Sequence, residues 1–154
     1  MEIEKKFTMK ELPPDLETYP CHLIEQAYLN TDPVIRIRKE DASYYLTYKG
    51  NGLMAREEYN LPLNEAAYYH LLEKADGRII TKKRYVIPLK QYQPEDQNGL
   101  SIELDVFEGE LAPLIIAEIE FPTKEMAEAF TAPELFLEDV TFDPRYHNSN
   151  LSKR

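Results

Sequence analysis

Apolar and polar residues alternate with a period of two along most of the chain. Residues 2–8, 22–30, 33–40, 43–49, 53–62, 78–88, 100–107 and 114–122 each read as a strand. Turn-forming runs separate them: Asn30-Thr31-Asp32-Pro33, Glu40-Asp41-Ala42-Ser43, Asn51-Gly52 and the polar stretch Gln93–Gly99. Helical spacing is rare. Residues 64–75 carry Ala67, Leu71 and Ala75 behind a potential N-cap at Asn64, and a short helix is expected over 123–130 with Thr123 near its start. A Pro-containing connection runs from Leu12 to Pro20. The segment after Pro133 is expected to hold another helical turn, broken at Asp143-Pro144. No repeat, low-complexity run or linker interrupts the pattern, so residues 1–154 are expected to form one domain. The class is mainly β (α+β), with about eight antiparallel strands, enough to close a barrel, and a few flanking helices.

In almost every strand most charges share one phase, with Lys5 and Lys83 in the other, and successive strand residues point to opposite faces. Glu2, Glu4 and Lys6 oppose Ile3 and Phe7. Arg36 and Arg38 oppose Ile35 and Ile37, and Lys49 is in phase with Tyr45 and Thr47. Arg56 and Glu58, Lys82 and Arg84, Glu103 and Asp105, and Glu118 and Glu120 follow the same rule. One face therefore gathers Lys6, Arg36, Arg38, Lys49, Arg56, Lys82 and Arg84 together with seven carboxylates. Two architectures satisfy this pattern: an open sheet with its charged face in water, or a closed barrel with the charges inside. Periodicity does not separate them.

The distribution of sign does bear on chemistry. Acids concentrate on the first and the last two strands and bases on the middle ones, whereas a solvated face mixes them for cross-strand pairing. Cations two residues apart on one face aim adjacent donors at one ligand, and the planar fork of Arg suits phosphate oxygens. Carboxylates at the same spacing converge hard oxygen donors, which favour Mg²⁺ or Mn²⁺. Cations for phosphate and carboxylates for a divalent ion are the ingredients of phosphoryl-transfer chemistry.

Composition narrows the partners. The 154 residues carry a formal net charge of −10, which opposes non-specific binding to nucleic acid or anionic membranes. A polyanion must then be held by a local cationic cluster. The single cysteine, Cys21, allows no intrachain disulfide. No apolar run approaches the roughly 20 residues of a membrane span, and the charged run Glu2–Lys6 is unlike a signal peptide, so the expected location is the cytoplasm. His22, His70 and His147 have no metal-ligand spacing and are read as non-catalytic.

These residues carry a resemblance. Glu2-x-Glu4-x-Lys6, Gln26-Ala27-Tyr28-Leu29, Arg36-Ile37-Arg38, Leu46-Thr47-Tyr48-Lys49, Arg56-Glu57-Glu58-Tyr59, Lys82-Lys83-Arg84-Tyr85, Glu103-Leu104-Asp105-Val106-Phe107 and Glu118-Ile119-Glu120-Phe121 occur in this order. Val140-Thr141, Arg145-Tyr146 and Asn148 follow. The chain resembles the CYTH superfamily, the triphosphate tunnel metalloenzymes, and is most similar to their short bacterial inorganic triphosphatases. The resemblance implies an eight-stranded antiparallel β-tunnel that binds a triphosphate. It implies Glu2, Glu4 and Glu120 as ligands of Mg²⁺ or Mn²⁺, with Glu118 and Asp105 serving a second metal or positioning water. Lys6, Arg36, Arg38, Lys49, Arg56, Lys82 and Arg84 would grip the phosphates. Glu58 and Glu103 stand between ligand contact and support of a neighbouring cation. Lys6, Tyr28 and Glu118 are the residues expected nearest the chemistry. The expected reaction is hydrolysis of tripolyphosphate to pyrophosphate and phosphate. ATP, other nucleoside triphosphates and thiamine triphosphate are alternative substrates, and a class IV-type adenylyl cyclase or a non-catalytic polyphosphate binder are alternative roles. A homodimer is compatible with the family.

Overall fold

A computed structural model describes residues 1–153. Its strands are β1 (Glu2–Met9), β2 (Cys21–Thr31), β3 (Val34–Glu40), β4 (Ser43–Lys49), β5 (Ala55–Arg56), β6 (Glu58–Leu63), β7 (Asp76–Pro88), β8 (Ser101–Phe107), β9 (Ile115–Glu120) and β10 (Phe136–Asp139). The helices are α1 (Glu65–Leu72), α2 (Lys124–Ala129) and α3 (Asn148–Leu151). All pairings are antiparallel, in the order β10-β1-β9-β8-β7-β2-β3-β4-β6. The sheet comes back on itself because β5, one residue before β6, pairs with the start of β1 (Glu2↔Arg56, Ile3↔Ala55), and Glu4 N–H donates to the Met54 carbonyl at 2.9 Å. The result is a nearly closed barrel rather than an open sheet. No described helix is long and apolar enough to cross a membrane.

The expected strand over 53–62 is thus two pieces, β5 on β1 and β6 on β4, divided at Glu57. The segment after Pro133 departs further from expectation: Phe136–Asp139 is a strand. Its cause lies in β1, since β5 covers only the first residues of that strand and leaves the later backbone groups without partners. β10 takes them (Phe7↔Asp139, Met9↔Phe136), and Phe136 stacks on Phe7 with ring centroids 4.8 Å apart. Both expected N-caps form. Asn64 accepts from Ala67 N–H at 2.7 Å and Thr123 accepts from Met126 N–H at 3.2 Å.

Apolar packing sits mainly outside the barrel. Ile3, Phe7, Tyr85, Ile87, Ile102, Leu104, Ala117 and Ile119 project outward from β1, β7, β8 and β9 beneath α2 and the loop carrying Leu16. A second outer cluster, Ala27, Ile37 and Tyr68, lies under α1. A third is inside: Tyr28, Val34, Ile80, Phe107 and Ile116 share the inward phase of their strands and meet Tyr146 and Leu151. These five occupy the ends of β2 and β8 and the starts of β3, β7 and β9, which alternating strand direction brings to one end of the barrel. The interior is therefore charged along most of its length and apolar at one end.

Candidate active site

The barrel encloses a cavity of about 400 Å³. Every expected site residue lines it except Asp105: Glu2, Glu4, Lys6, Tyr28, Arg36, Arg38, Lys49, Arg56, Glu58, Lys82, Arg84, Glu103, Glu118 and Glu120 all face the same space. Strand register accounts for this. Glu4 pairs with Glu120 and Lys6 with Glu118 across β1 and β9, and Glu103 pairs with Glu118 across β8 and β9. Arg36 and Arg38 stand opposite Tyr28 and Gln26 on β2.

Most cations are aimed by a carboxylate. Lys6 Nζ lies 3.0 Å from both Glu4 and Glu118. Lys49 Nζ lies 2.8 Å from Glu2 and 3.4 Å from Glu58. Arg84 clasps both oxygens of Asp105 at 2.7 and 2.9 Å and reaches Glu103 at 3.1 Å. Lys82 Nζ is 2.7 Å from Asp105, and both side chains are 0% exposed. Asp105 is thus placed beneath the cavity with its two oxygens committed to Arg84 and Lys82, apart from the other expected metal ligands.

Arg36 differs. Its Nη2 donates to Thr47 Oγ1 at 3.0 Å, but its buried Nε has no partner among the described residues. A buried unpaired donor costs roughly 1–3 kcal/mol, so this guanidinium is preorganised for an anion. Burial, and then the neighbouring Arg38, lower its pKa. Arg38 is held by the Gln26 side-chain oxygen at 2.8 Å and the Tyr45 hydroxyl at 3.3 Å.

The acids divide in the same manner. Burial works to raise Glu118, but Lys6, Arg84 and Lys82 hold it well below the usual carboxylate range. Asp105 is also lowered, by Arg84 and Lys82 against the effect of burial. Glu120 is raised, first by burial and then by Glu2, Glu4, Glu58 and Glu103. Burial likewise raises Glu2 and Glu103. Glu120 makes no ion pair among the described residues, so the wall formed by Glu2, Glu4 and Glu120 carries excess negative charge. Hard carboxylate oxygens in that condition fit a divalent cation. Among the described residues no three such side chains already stand in ligand geometry, because Glu2 and Glu4 point to Lys49 and Lys6.

Lys82 is pushed down to about 7, first by burial and then by Arg84 and Arg38, with Asp105 opposing. Lys6 moves the other way: burial works to lower it, but Glu118 and Glu4 raise it. Tyr28 is buried at the apolar end, and no described side chain bonds its hydroxyl. The three histidines stay out of the cavity. His22 bonds Asp41 on the surface, and His147 Nε2 bonds the Thr141 carbonyl at 2.9 Å.

Gln26, Tyr45, Asn60, Asn148 and Ser149 are the contributors that charge alone does not single out. Gln26, Tyr45 and Asn60 sit in the inward phase of their strands, so an uncharged polar residue in phase with a cation was the available signal. Asn148 and Ser149 lie on α3 and have no such periodicity.

A model of the CYTH domain matches residues 1–148. An inorganic triphosphatase of Nitrosomonas europaea is 36% identical over 98% of this chain and 96% of its own length. An inorganic triphosphatase of Acetivibrio thermocellus is 37% identical over 99% of this chain and 93% of its own. A crystal structure of an inorganic triphosphatase superposes with a TM-score of 0.70 at 32% identity, covering 100% of this chain and 95% of the other. Sequence and fold agree, and the chain belongs to the CYTH domain family.

Proposed function

We propose that the chain is a metal-dependent triphosphatase that adds water across one P–O–P bridge of inorganic tripolyphosphate, giving pyrophosphate and phosphate. The observation that carries this reading is the enclosed cavity in which seven cations meet a wall of glutamates, with Glu120 in no ion pair among the described residues. Inorganic triphosphatases at 36 and 37% identity over nearly the whole chain support the same reaction. Residues 1–154 act as one unit, since Glu4 and Glu120 are paired across the same wall.

Arg36, Arg38, Lys49, Arg56, Lys82 and Arg84 bind the phosphate oxygens and stabilise charge there with little reorganisation, because carboxylate and amide partners, and for Arg36 the Thr47 hydroxyl, already hold them. Glu2, Glu4 and Glu120 would hold Mg²⁺ or Mn²⁺, and Glu118 contributes beside them. A divalent ion supplies neutralisation of phosphate charge and a lowered pKa for water. Glu118, kept ionised by Lys6 and Arg84, accepts a hydrogen bond from the attacking water and orients it. Lys6, on the same glutamates, stabilises the charge that develops on the attacked phosphoryl group. Asp105 is assigned to aiming Lys82 and Arg84, Glu103 to Arg84 and Glu58 to Lys49. Tyr28 shapes the wall opposite Arg36 and keeps bulk water from it.

Tyr45 favours a second reading, because it lines the cavity and its ring could carry a nucleobase. The Arg38 guanidinium already lies over that ring, 6.0 Å from its centroid, which favours inorganic triphosphate. Phosphate release from tripolyphosphate, ATP and thiamine triphosphate, with and without Mg²⁺ or Mn²⁺, decides among these readings. Metal-dependent release from tripolyphosphate at the highest kcat/KM is expected. Binding without release, or pyrophosphate and a cyclic product from ATP, would overturn it.

A further inference from the structure

The tunnel has a stop. At the apolar end the cavity borders a second one of about 320 Å³, lined by the β2–β3 turn (Thr31, Asp32), by Asn51 and Gly52, and by Asn150 and Lys153. The two spaces share Val34, Arg56 and Ser149. What separates them is the segment from His147 to Lys153. It is anchored on both sides: His147 Nε2 bonds the Thr141 carbonyl, and the Ser152 carbonyl accepts Arg78 N–H at 2.6 Å. Gly77 has φ +72°, and a Cβ there would collide with the Ser152 carbonyl, so the β7 backbone itself makes room for this segment. Tyr146 and Leu151 pack on the apolar ring of Tyr28, Val34, Ile80, Phe107 and Ile116.

Asn148 is the face that this stop presents to the cavity. Its Oδ1 accepts from Gln26 Nε2 and from Lys82 Nζ, both at 3.0 Å. It therefore spends a donor of Lys82 and fixes Gln26, which in turn holds Arg38 at 2.8 Å. A phosphate chain advancing along the cations meets Asn148 and, beside it, the ring of Val34, Ile80, Phe107 and Ile116, whose side chains offer an anionic oxygen no donor.

Resting on the triphosphatase reading above, we propose that the tunnel is blind, that residues 147–153 are its end-stop, and that Asn148 positions the leading terminal phosphate. The substrate class that follows is a linear polyphosphate with a free end, entering end-first. Cleavage falls near the terminus, and bridges in the middle of a long chain stay out of reach. The second cavity would be the continuation of a through-tunnel if the segment were absent.

Two measurements on the full-length protein test this. Purified protein with Mg²⁺ or Mn²⁺ is given long linear polyphosphate, and the products are resolved by length. The expected products are orthophosphate or pyrophosphate with gradually shortened chains, or no cleavage at all. Fragments of intermediate length from the outset overturn the blind tunnel. The near-isosteric Asn148→Asp places a charge where the leading phosphate stops. It is expected to raise KM for tripolyphosphate by about tenfold or more while kcat changes by less than about threefold. An unchanged KM, or a loss confined to kcat, overturns the assignment of Asn148. If the wild type releases no phosphate from tripolyphosphate, the triphosphatase reading fails by itself. The dissociation constant of tripolyphosphate for the two proteins, measured calorimetrically, then tests the stop independently.

Discussion

A carboxylate held between cations and one held among other carboxylates respond oppositely to loss of charge. Asp105 is the first kind, with Lys82 at 2.7 Å and Arg84 on both oxygens. Asp105→Asn leaves two buried cations undercompensated, and a loss of roughly 3–5 kcal/mol is expected in urea denaturation. Glu120 is the second kind. Glu120→Gln removes repulsion from Glu2 and Glu4, so stability is expected to stay constant or rise by up to about 1 kcal/mol while metal-dependent turnover is lost. The pH dependence gives a separate check. A raised acid such as Glu120 contributes stability below its unfolded pKa that disappears as pH rises through the folded value. The stability gain of Glu120→Gln over wild type should therefore grow as pH rises through the carboxylate range. Asp105, lowered, contributes stability above its unfolded pKa that disappears as pH falls through the folded one. A destabilised Glu120→Gln would contradict the repulsion argument. Retained metal-dependent turnover would remove Glu120 from the ligand set.

At the scale of elements, what was legible in the sequence was the phase of each strand, because the interior of a barrel selects one parity and every strand from β1 to β9 obeys it. Arg36 with Arg38, Lys82 with Arg84 and Glu118 with Glu120 could be placed on the tunnel wall for that reason. The choice between barrel and open sheet was not legible from periodicity. It turns on β5, two residues long, and on a bond from Glu4 to Met54. Nor was the apolar end-ring, although Val34, Ile80, Phe107 and Ile116 each sit two residues from an inward charge in the same phase. The role of Asp105 was equally hidden, since spacing places a carboxylate on a wall but does not say which cation takes it. The C-terminal segment depends on partners remote in sequence, such as Gln26 and Lys82 for Asn148, and no local pattern encodes these. Gly77 is the one local trace of that docking. Gly77→Ala introduces both a strained φ and a clash with Ser152. It is expected to cost about 1–3 kcal/mol and to expose residues 147–153 to limited proteolysis before the barrel. Unchanged protease resistance of the segment would show that the close approach is relieved elsewhere.

For the whole molecule, binding of a triphosphate is an exchange of charge in a chain that already carries −10. The ligand adds negative charge to a site whose cations are partly spoken for, so protons as well as metal ions should accompany it. Lys82 is the group poised to respond, since burial with Arg84 and Arg38 nearby holds it at about 7 in the free protein. Above that pH it is largely neutral, and the folded chain binds fewer protons than the unfolded one. Its contribution to stability therefore rises with pH between about 7 and its unfolded value of 10.5. Phosphate oxygens entering the cavity favour the ammonium form, so binding at pH 8 should take up as much as about one proton per ligand through Lys82, and affinity should weaken as pH rises above 7. Calorimetric titration of tripolyphosphate in buffers of different ionisation enthalpy measures this directly. Lys82→Met, which leaves Asp105 paired with Arg84, should abolish the part of the proton uptake that the wild type shows in excess of the ligand's own titration. Binding heats identical across buffers in the wild type, or an uptake unchanged in Lys82→Met, would mean that Lys82 is already charged in the empty tunnel. The Asp105 ion pair would then outweigh its burial.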